Sequence, residues 1–230
     1  MIESKKIQTG ISGVDEMLNG GIPKRHHVLI SGGPGSGKTL FCFEYLYRGA
    51  KNKEKGLFIT LEEDPEMIVE NVKSAFSGIK DIDAMIGKEI FIEKPAMYDF
   101  KNFSDLLQSY VIHHGVKRVV IDSSTILRFS FDDILAFRKR LIEFLGFLRN
   151  LDCTALITSE LESPLRSKMK FNVEQFAADG IIVLYNLPRK EKRIRALEIL
   201  KMRGTDHSRD LVPMKITSQG ITAFPGEKIY

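Results

Sequence analysis

The segment GGPGSGKT, residues 32–39, constrains the fold of this chain more than any other feature of the sequence. It satisfies the pattern G-x-x-x-x-G-K-[ST] in full, follows a predicted strand at 26–31 and opens a predicted helix at 38–51. Glycines let the backbone curl until successive N–H groups face inward, and a helix N-terminus presents a positive dipole end to an anion. The segment therefore predicts a phosphate-binding loop (P-loop) in an α/β fold.

The P-loop also predicts individual contacts with a nucleotide and its metal ion. The Lys38 ammonium can reach the β- and γ-phosphates, and the Thr39 hydroxyl can ligate Mg²⁺. The other contacts should come from the loop and the first helical turn, at Gly33, Pro34, Gly35, Ser36, Gly37 and Leu40. ATP and Mg²⁺ are therefore the expected cofactors.

Short β-rich runs alternate with amphipathic helical runs along most of the chain. Strands are predicted at 26–31, 56–61, 89–94, 118–123 and 153–160, and helices at 38–51, 65–76, 102–115 and 132–150. From residue 180 onward the pattern predicts strands joined by short polar links, which should extend the same sheet as antiparallel strands. We therefore expect one α/β domain, residues 1–230, with a mostly parallel central sheet flanked by helices and C-terminal antiparallel strands.

Composition limits the classes of function. Apolar residues at 43% and charged residues at 28% are typical of a soluble globular protein. Because no apolar run is long enough to span a membrane and the N-terminus lacks an apolar signal segment, a cytoplasmic protein is expected. Cys42 and Cys153 lie in apolar runs, which favours buried thiols over a disulfide or a metal site. The net charge of +4 is compatible with phosphate or nucleic acid ligands and requires neither.

Three carboxylates follow predicted strands and would complete an ATPase site. Asp122 ends the apolar run RVVID, where it can support the hydration shell of Mg²⁺, although a turn aspartate is the simpler alternative. Glu62 and Glu63 follow the strand after the P-loop helix, so they should lie at the same sheet edge, where ligands of open α/β sheets bind. One of them could act as a base towards water, and both are candidates. Their alternative role is a favourable charge at the N-terminus of the next helix.

The order of the motifs resembles the KaiC-type branch of the RecA/RadA superfamily. The segments that carry the resemblance are TGISGVDEMLNGGIP (9–23), GGPGSGKT, LEE, VVIDSS, ITSE and KMRGTDH (201–207), and together they extend from about Thr9 to Pro225. The resemblance implies a RecA-like P-loop NTPase core that binds ATP between the subunits of a ring, commonly a hexamer. It also implies slow ATP hydrolysis with a regulatory or signalling role.

The segment KMRGTDH is assigned by this resemblance to the nucleotide of a neighbouring subunit. Lys201 and Arg203 are two residues apart on a predicted strand and can project from one face. A cation supplied across an interface neutralises charge that develops on the transferred phosphoryl group. Met202, Thr205 and His207 complete the expected contacts. Without the resemblance, a solvated basic strand end would be the simpler interpretation.

Further residues are assigned by the resemblance alone. Ser74, Thr217 and Ser218 correspond to positions that contact the nucleotide, the last two near its base or ribose, although the family often has Asp in place of Ser218. Ser159 and Glu160 occupy the place where RecA-like proteins sense the γ-phosphate. Gln175 and Phe176 stand where one KaiC domain has adjacent Ser and Thr phosphoacceptors, so autophosphorylation at that site is not expected.

Two other functions remain open from the sequence. Arg166, Lys168 and Lys170 are spaced by two within a predicted loop, where they could follow a nucleic-acid backbone, as in a DNA-binding recombinase relative. A solvated loop is the alternative. The third function is a scaffold or switch that binds ATP without significant turnover. The expected partners are thus other copies of this chain and ATP or ADP, with nucleic acid as an untested class.

Overall fold

The computed structural model describes residues 5–96, 99–129, 131, 133–161 and 173–229 of the 230-residue chain. Its strands are β1 Lys6–Ile7, β2 Ile22–Pro23, β3 His27–Gly32, β4 Gly56–Thr60, β5 Ile90–Glu93, β6 Arg118–Asp122, β7 Thr154–Glu160, β8 Gly180–Arg189, β9 Lys192–Met202, β10 Val212–Thr217 and β11 Gly220–Ala223. Its helices are α1 Val14–Met17, α2 Lys38–Lys51, α3 Pro65–Ala75, α4 Ile82–Met85, α5 Phe100–His114, α6 Ser124–Phe129, α7 Ile134–Asn150 and α8 Val173–Ala177.

A nine-stranded sheet organises the fold, in the order β11-β10-β9-β8-β3-β7-β6-β4-β5. Neighbouring strands from β8 to β5 run parallel, and β8–β9, β9–β10 and β10–β11 pair antiparallel. The predicted fold class is therefore confirmed: a mostly parallel sheet flanked by helices, with antiparallel strands at the C-terminal side. The direction changes between β8 and β9, so β8 itself belongs to the parallel part.

Helices cover both faces of the parallel strands. On β6, Val120 packs in the apolar cluster that includes α2 and α3, whereas Val119 and Ile121 pack in the cluster that includes α5 and α7. This alternation follows from the two-residue period of a strand, and burial on both faces explains why the central strands are continuously apolar. The sheet therefore has two helical layers, one on each face.

The ends of the predicted helices have local causes. Gly115 ends α5 with φ of 72°, a left-handed conformation that suits glycine. The Asp133 carboxylate accepts hydrogen bonds from the backbone N–H groups of Leu135 and Ala136, so α7 begins at Ile134, slightly later than predicted. Among the described residues, no helix is long and apolar enough to cross a membrane. Arg166, Lys168 and Lys170 lie outside the described residues.

Both cysteines are buried and free of disulfide bonds. Burial raises the pKa of Cys42 well above its usual value and raises the pKa of Cys153 to about 11. Because the thiolate is the reactive form, we expect neither thiol to react with a thiol-exchange reagent at pH 8 in the folded protein. Denaturant should then expose both of the chain's thiols to the reagent. Rapid labelling without denaturant, followed by absorbance, would contradict this expectation.

Candidate nucleotide-binding site

The P-loop connects the end of β3 to the start of α2, as predicted. Gly35 and Gly37 have φ of 69° and 99°, which side-chain-bearing residues rarely adopt. A Cβ at Gly37 would also lie 2.7 Å from Cδ1 of Ile216, whereas a Cβ at Gly33 would meet nothing within 4 Å. The loop is thus packed against β10 on one side and open at Gly33. This cradle fits a phosphate group.

Two side chains of β8 and β9 contact the outer carbonyls of the P-loop. Arg195 Nε donates to the Gly35 carbonyl oxygen at 3.1 Å, and Asn186 Nδ2 donates to the Pro34 carbonyl oxygen at 3.5 Å. Carbonyls that bond on the outside leave the loop N–H groups available to an anion on the inside. The sequence analysis did not predict either residue. The only signal was that Arg195 ends the basic stretch PRKEKRIR and that Asn186 lies just before this stretch.

The predicted metal-binding pair meets at the carboxyl edge of the sheet. Thr39 Oγ1 donates to Asp122 Oδ2 at 2.8 Å, and Thr158 Oγ1 donates to the other carboxylate oxygen. The peptide bond between Asp122 and Ser123 is cis. Lys38 Nζ donates to the carbonyl oxygen of Gly32 at 3.0 Å. The first turn of α2 is therefore joined directly to the end of β6.

The electrostatics at Asp122 suit a cation. Burial raises the pKa of Asp122, and the nearby Glu62 charge raises it further. The hydroxyl donors Thr158 and Thr39 and the charge of Lys38 lower the same pKa. Hydroxyl and carboxylate oxygens are the hard ligands that Mg²⁺ prefers. The residues present at this position therefore fit Mg²⁺.

Glu62 and Glu63 point to different neighbours. Glu62 Oε1 accepts a hydrogen bond from the hydroxyl of Ser123, the residue that follows Asp122. Glu63 Oε2 instead accepts from Asn71 Nδ2 of α3 at 3.0 Å. Both glutamates line one small cavity, whose other residues are Lys38, Thr39, Thr60, Asp122, Ser123 and Glu160. Glu62 is thus the glutamate oriented towards the metal-binding pair.

Asp64 is the N-cap residue of α3 but makes no capping hydrogen bond; its carboxylate accepts from Lys94 Nζ at 2.7 Å. Of the two predicted γ-phosphate sensors, Ser159 is buried and Glu160 lines the cavity just described. The end of β7 therefore joins the ends of β4 and β6 around the same space.

The turn between β10 and β11 approaches the P-loop helix from the other side. Ile216 contacts the position of Gly37, and the Ser218 carbonyl oxygen accepts from Gly78 N at 3.0 Å, just beyond α3. Thr217 Oγ1 donates to the Gly220 carbonyl oxygen at 3.1 Å, which closes the turn. Ser74 is exposed on α3. Ile216 thus contacts the P-loop, Thr217 follows it at the turn, and Ser218 contacts the segment after α3, while contact of Thr217 and Ser218 with a nucleotide stays a prediction.

The segment KMRGTDH lies at the amino-terminal end of the parallel strands, whereas the P-loop lies at their carboxyl end. Gly32, where the loop begins, pairs with Leu184 of β8, whereas Met202 pairs with Gly180. Leu184 and Gly180 are four residues apart in β8, which at a rise of about 3.3 Å per residue separates the two positions by about 13 Å. Gly204 lies further still, beside the ring of His26. The side chains of Lys201 and Arg203 therefore cannot reach the P-loop of their own chain.

Lys201 and Arg203 have partners at this end of the strands. Lys201 Nζ donates to the carbonyl oxygen of Ala178 at 2.6 Å. Burial and the Arg203 charge lower the pKa of Lys201, although Asp179 opposes the shift. The Arg203 side chain is 56% exposed, and its Nη1 lies 3.5 Å from Asp179 Oδ1.

The other residues of the segment differ in exposure. The Met202 side chain is buried, and a Cβ added at Gly180 would lie 2.6 Å from its Cε, so any ligand contact from Met202 would use its backbone. The Thr205 hydroxyl accepts from Lys6 Nζ at 2.7 Å. His207 Nδ1 lies 2.9 Å from the Ser208 carbonyl oxygen. Thr205 and His207 are therefore half-buried polar groups with partners in their own chain, whereas Arg203 between them and β9 is exposed.

Comparisons with known proteins identify the family of this chain. The KaiC ATPase family model matches residues 7–228. The circadian clock oscillator protein KaiC of Parathermosynechococcus lividus is 34% identical over 232 residues, which cover 96% of this chain and 42% of the relative. KaiC 1 of Synechocystis sp. (strain ATCC 27184 / PCC 6803 / Kazusa) is 35% identical over 233 residues, 96% of this chain and 44% of the relative.

A third relative, KaiC of Picosynechococcus sp. (strain ATCC 27264 / PCC 7002 / PR-6), is 33% identical over 233 residues, 96% of this chain and 45% of the relative. The chain thus spans less than half of the length of the curated relatives that it matches. Together with the P-loop and the nine-stranded sheet, these matches identify the chain as a member of the KaiC ATPase family with a RecA-like fold.

Proposed function

We propose that this chain is a Mg²⁺-dependent ATPase of slow turnover that binds ATP between the subunits of a homo-oligomeric ring, with a hexamer as the expected size. The observation that carries the proposal is the separation of the site residues. The P-loop and its carboxylates lie at the carboxyl end of the parallel strands, and Lys201 and Arg203 lie at the other end, on either side of Met202, whose register position is about 13 Å from that of Gly32. A second copy is needed to bring the two sets together.

The P-loop edge binds the substrate. Backbone N–H groups of the loop donate to the phosphate oxygens, and Lys38 exchanges the Gly32 carbonyl for the β- and γ-phosphates. The contacts on this side come from Gly33, Pro34, Gly35, Ser36, Gly37, Lys38, Thr39 and Leu40. Ser74, Thr217 and Ser218 contact the rest of the nucleotide. The same set of residues also binds the product ADP.

Thr39 and Asp122 hold Mg²⁺, which when bound neutralises negative charge on the phosphate oxygens. Thr158 fixes the other oxygen of the Asp122 carboxylate. Glu62 orients a water molecule for attack and accepts its proton, and the Ser123 hydroxyl keeps the Glu62 carboxylate at the site. Glu63 has the lesser role because α3 binds its carboxylate.

The neighbouring subunit completes the site. Its Lys201 and Arg203 neutralise charge that develops on the transferred phosphoryl group. Thr205, His207 and the Met202 backbone add polar contacts to phosphate or ribose. The matched relatives are named circadian clock oscillator proteins, and we propose a regulatory role for this chain as well. That role would not use phosphorylation at Gln175 or Phe176, since neither side chain has a hydroxyl.

The assignment of the base is tested with Glu62→Gln and Glu63→Gln. We expect Glu62→Gln to lower phosphate release about 100-fold at saturating Mg-ATP, because the amide cannot accept the proton of the attacking water. Glu63→Gln, the matched control, should lose no more than about threefold. Phosphate release is measured for both variants with and without a chelator of Mg²⁺.

Equal losses in the two variants, or release that is insensitive to the chelator, would contradict this mechanism. Wild-type release no higher than that of Lys38→Ala would instead indicate a scaffold that binds ATP without turnover.

A further inference from the structure

Asp179 connects the strand that leads into the P-loop with the cation that we expect to act on the neighbouring subunit. It lies between α8 and β8, and its side chain is 8% exposed. Its backbone N–H donates to the carbonyl oxygen of His27, the first residue of β3, at 2.9 Å. Its own carbonyl oxygen accepts from the backbone N–H of Arg203, at 2.9 Å. The backbone of Asp179 thus joins β3 to the end of β9.

The carboxylate of Asp179 is shared among three residues. Its Oδ2 accepts from Arg149 Nη2 at 2.8 Å and from the backbone N–H of His27 at 3.2 Å. Its Oδ1 lies 3.5 Å from Arg203 Nη1. Burial alone would raise the pKa of Asp179, but hydrogen bonds from His27 and the charge of Arg149 keep it well below its usual range. The group therefore faces Arg203 as a carboxylate at neutral pH.

Arg203 needs such a partner because most of its side chain is exposed. An exposed arginine samples many rotamers, and this freedom must be lost when the guanidinium binds a phosphate. A partner that restricts the side chain before binding reduces that loss and improves the orientation of the cation. Among the described residues, Asp179 is the carboxylate that forms an ion pair with Arg203.

We propose that Asp179 is a positioning residue for Arg203, whose guanidinium it holds ready at the edge of β9 for the nucleotide of a second copy. The inference rests on the proposed function, in which Arg203 acts across the subunit interface. It adds that a buried carboxylate, anchored by Arg149 and by the first residue of β3, determines how well Arg203 does so.

The test uses mixed oligomers of Asp179→Asn and Lys38→Ala subunits, prepared by co-expression with two different affinity tags. The Asp179→Asn subunit keeps an intact P-loop, and the Lys38→Ala subunit keeps an intact Asp179 and Arg203. In Asp179→Asn alone, we expect kcat for phosphate release to fall at least about tenfold with KM little changed, because the cation is misplaced rather than absent. In the mixed oligomers, release should rise several-fold above the sum of the two separate variants.

The same mixing with Arg203→Ala in place of Asp179→Asn tests the proposed function separately. Recovery with Arg203→Ala but not with Asp179→Asn would place the Asp179 defect in its own P-loop, through His27, and would overturn the positioning role alone. Recovery with neither variant would overturn the action of Arg203 on a neighbour, and the positioning role with it.

Two further variants separate positioning from folding. The double variant Asp179→Asn/Arg203→Ala should have the same kcat as Arg203→Ala, and an additional loss would show that Asp179 acts on another group. If Asp179→Asn does not fold, Asp179→Glu replaces it, because this variant keeps the charge and displaces it by one methylene. Asp179→Glu should lower kcat less than Asp179→Asn and show the same recovery on mixing. An unchanged kcat in Asp179→Glu would overturn the proposal. Arg140→Gln, which removes an exposed ion pair with Glu143 on α7, is the matched control and should leave kcat unchanged.

Discussion

Replacing Arg203 with alanine should lower the turnover of ATP about 10³-fold while leaving nucleotide affinity of the separate subunits unchanged. The reason is the position of Arg203 just after β9: it follows Met202, whose place in the strand register is about 13 Å from the start of the P-loop of its own chain. A cation there cannot affect binding in an isolated subunit. In the assembled protein it neutralises charge that is present mainly in the transition state, so its loss lowers kcat.

This prediction is measured by phosphate release at saturating Mg-ATP, by titration of a fluorescent nucleotide, and by mass from light scattering with and without Mg-ATP. Arg140→Ala removes a surface arginine of α7 and serves as the control for loss of a positive charge. A protein that stays monomeric with Mg-ATP and hydrolyses it equally well with and without Arg203 would refute the action across an interface.

The Arg118→Ala variant should lose about 3–5 kcal/mol of unfolding free energy, the largest stability effect that we expect from a single substitution. Arg118 begins β6 and is 1% exposed. Its guanidinium donates to Glu54 Oε2 at 2.8 and 2.6 Å, and to the carbonyl oxygens of Tyr45 at 2.8 Å and Gln8 at 2.9 Å. It also lies 4.6 Å from the centre of the Tyr45 ring.

The expected loss is large because alanine would leave these acceptors without their donor inside the protein and would open a cavity beneath α2. Lys117→Ala is the matched control: Lys117 precedes Arg118 and pairs with Asp152 at 3.1 Å, but both side chains are about half exposed. Its loss should stay below about 1 kcal/mol. Both values come from urea unfolding without nucleotide, since a bound ligand would add its own stabilisation. Similar losses of unfolding free energy in the two variants would show that the buried hydrogen bonds of Arg118 contribute no more to stability than an exposed ion pair does.

The sequence could predict those features that depend on local pattern. The P-loop, the alternation of strands and helices, and the meeting of Thr39 with Asp122 all follow from motifs read along the chain, since the ends of parallel strands converge at one edge. The choice between Glu62 and Glu63 could not follow, because it depends on which neighbour each carboxylate meets. The short helices α1, α4, α6 and α8 contain too few residues to show a helical period.

Other features depend on contacts between distant segments. Gly49 lies inside α2, although glycine is unfavourable in the interior of a helix. Glycine is required there because the Cβ of any other residue would lie 2.3 Å from Arg118 Cδ on β6. Arg195 and Asn186 contact the P-loop only because β8 pairs with both β3 and β9. Asp179 has a similar origin, since its partners come from β3, α7 and the end of β9. No spacing along the chain indicates these contacts.

Under the proposed function, the two surfaces that must meet are different parts of the same molecule, the carboxyl edge of the sheet in one copy and the Arg203 edge in the next. Contact of this kind is heterologous, or head-to-tail, and the angle between successive copies decides whether the assembly closes on itself or grows into a filament. In a closed assembly every copy both gives and receives a cation. An isolated or terminal copy lacks one of these contacts, so the activity of each chain rises with its concentration and dilution alone switches it off.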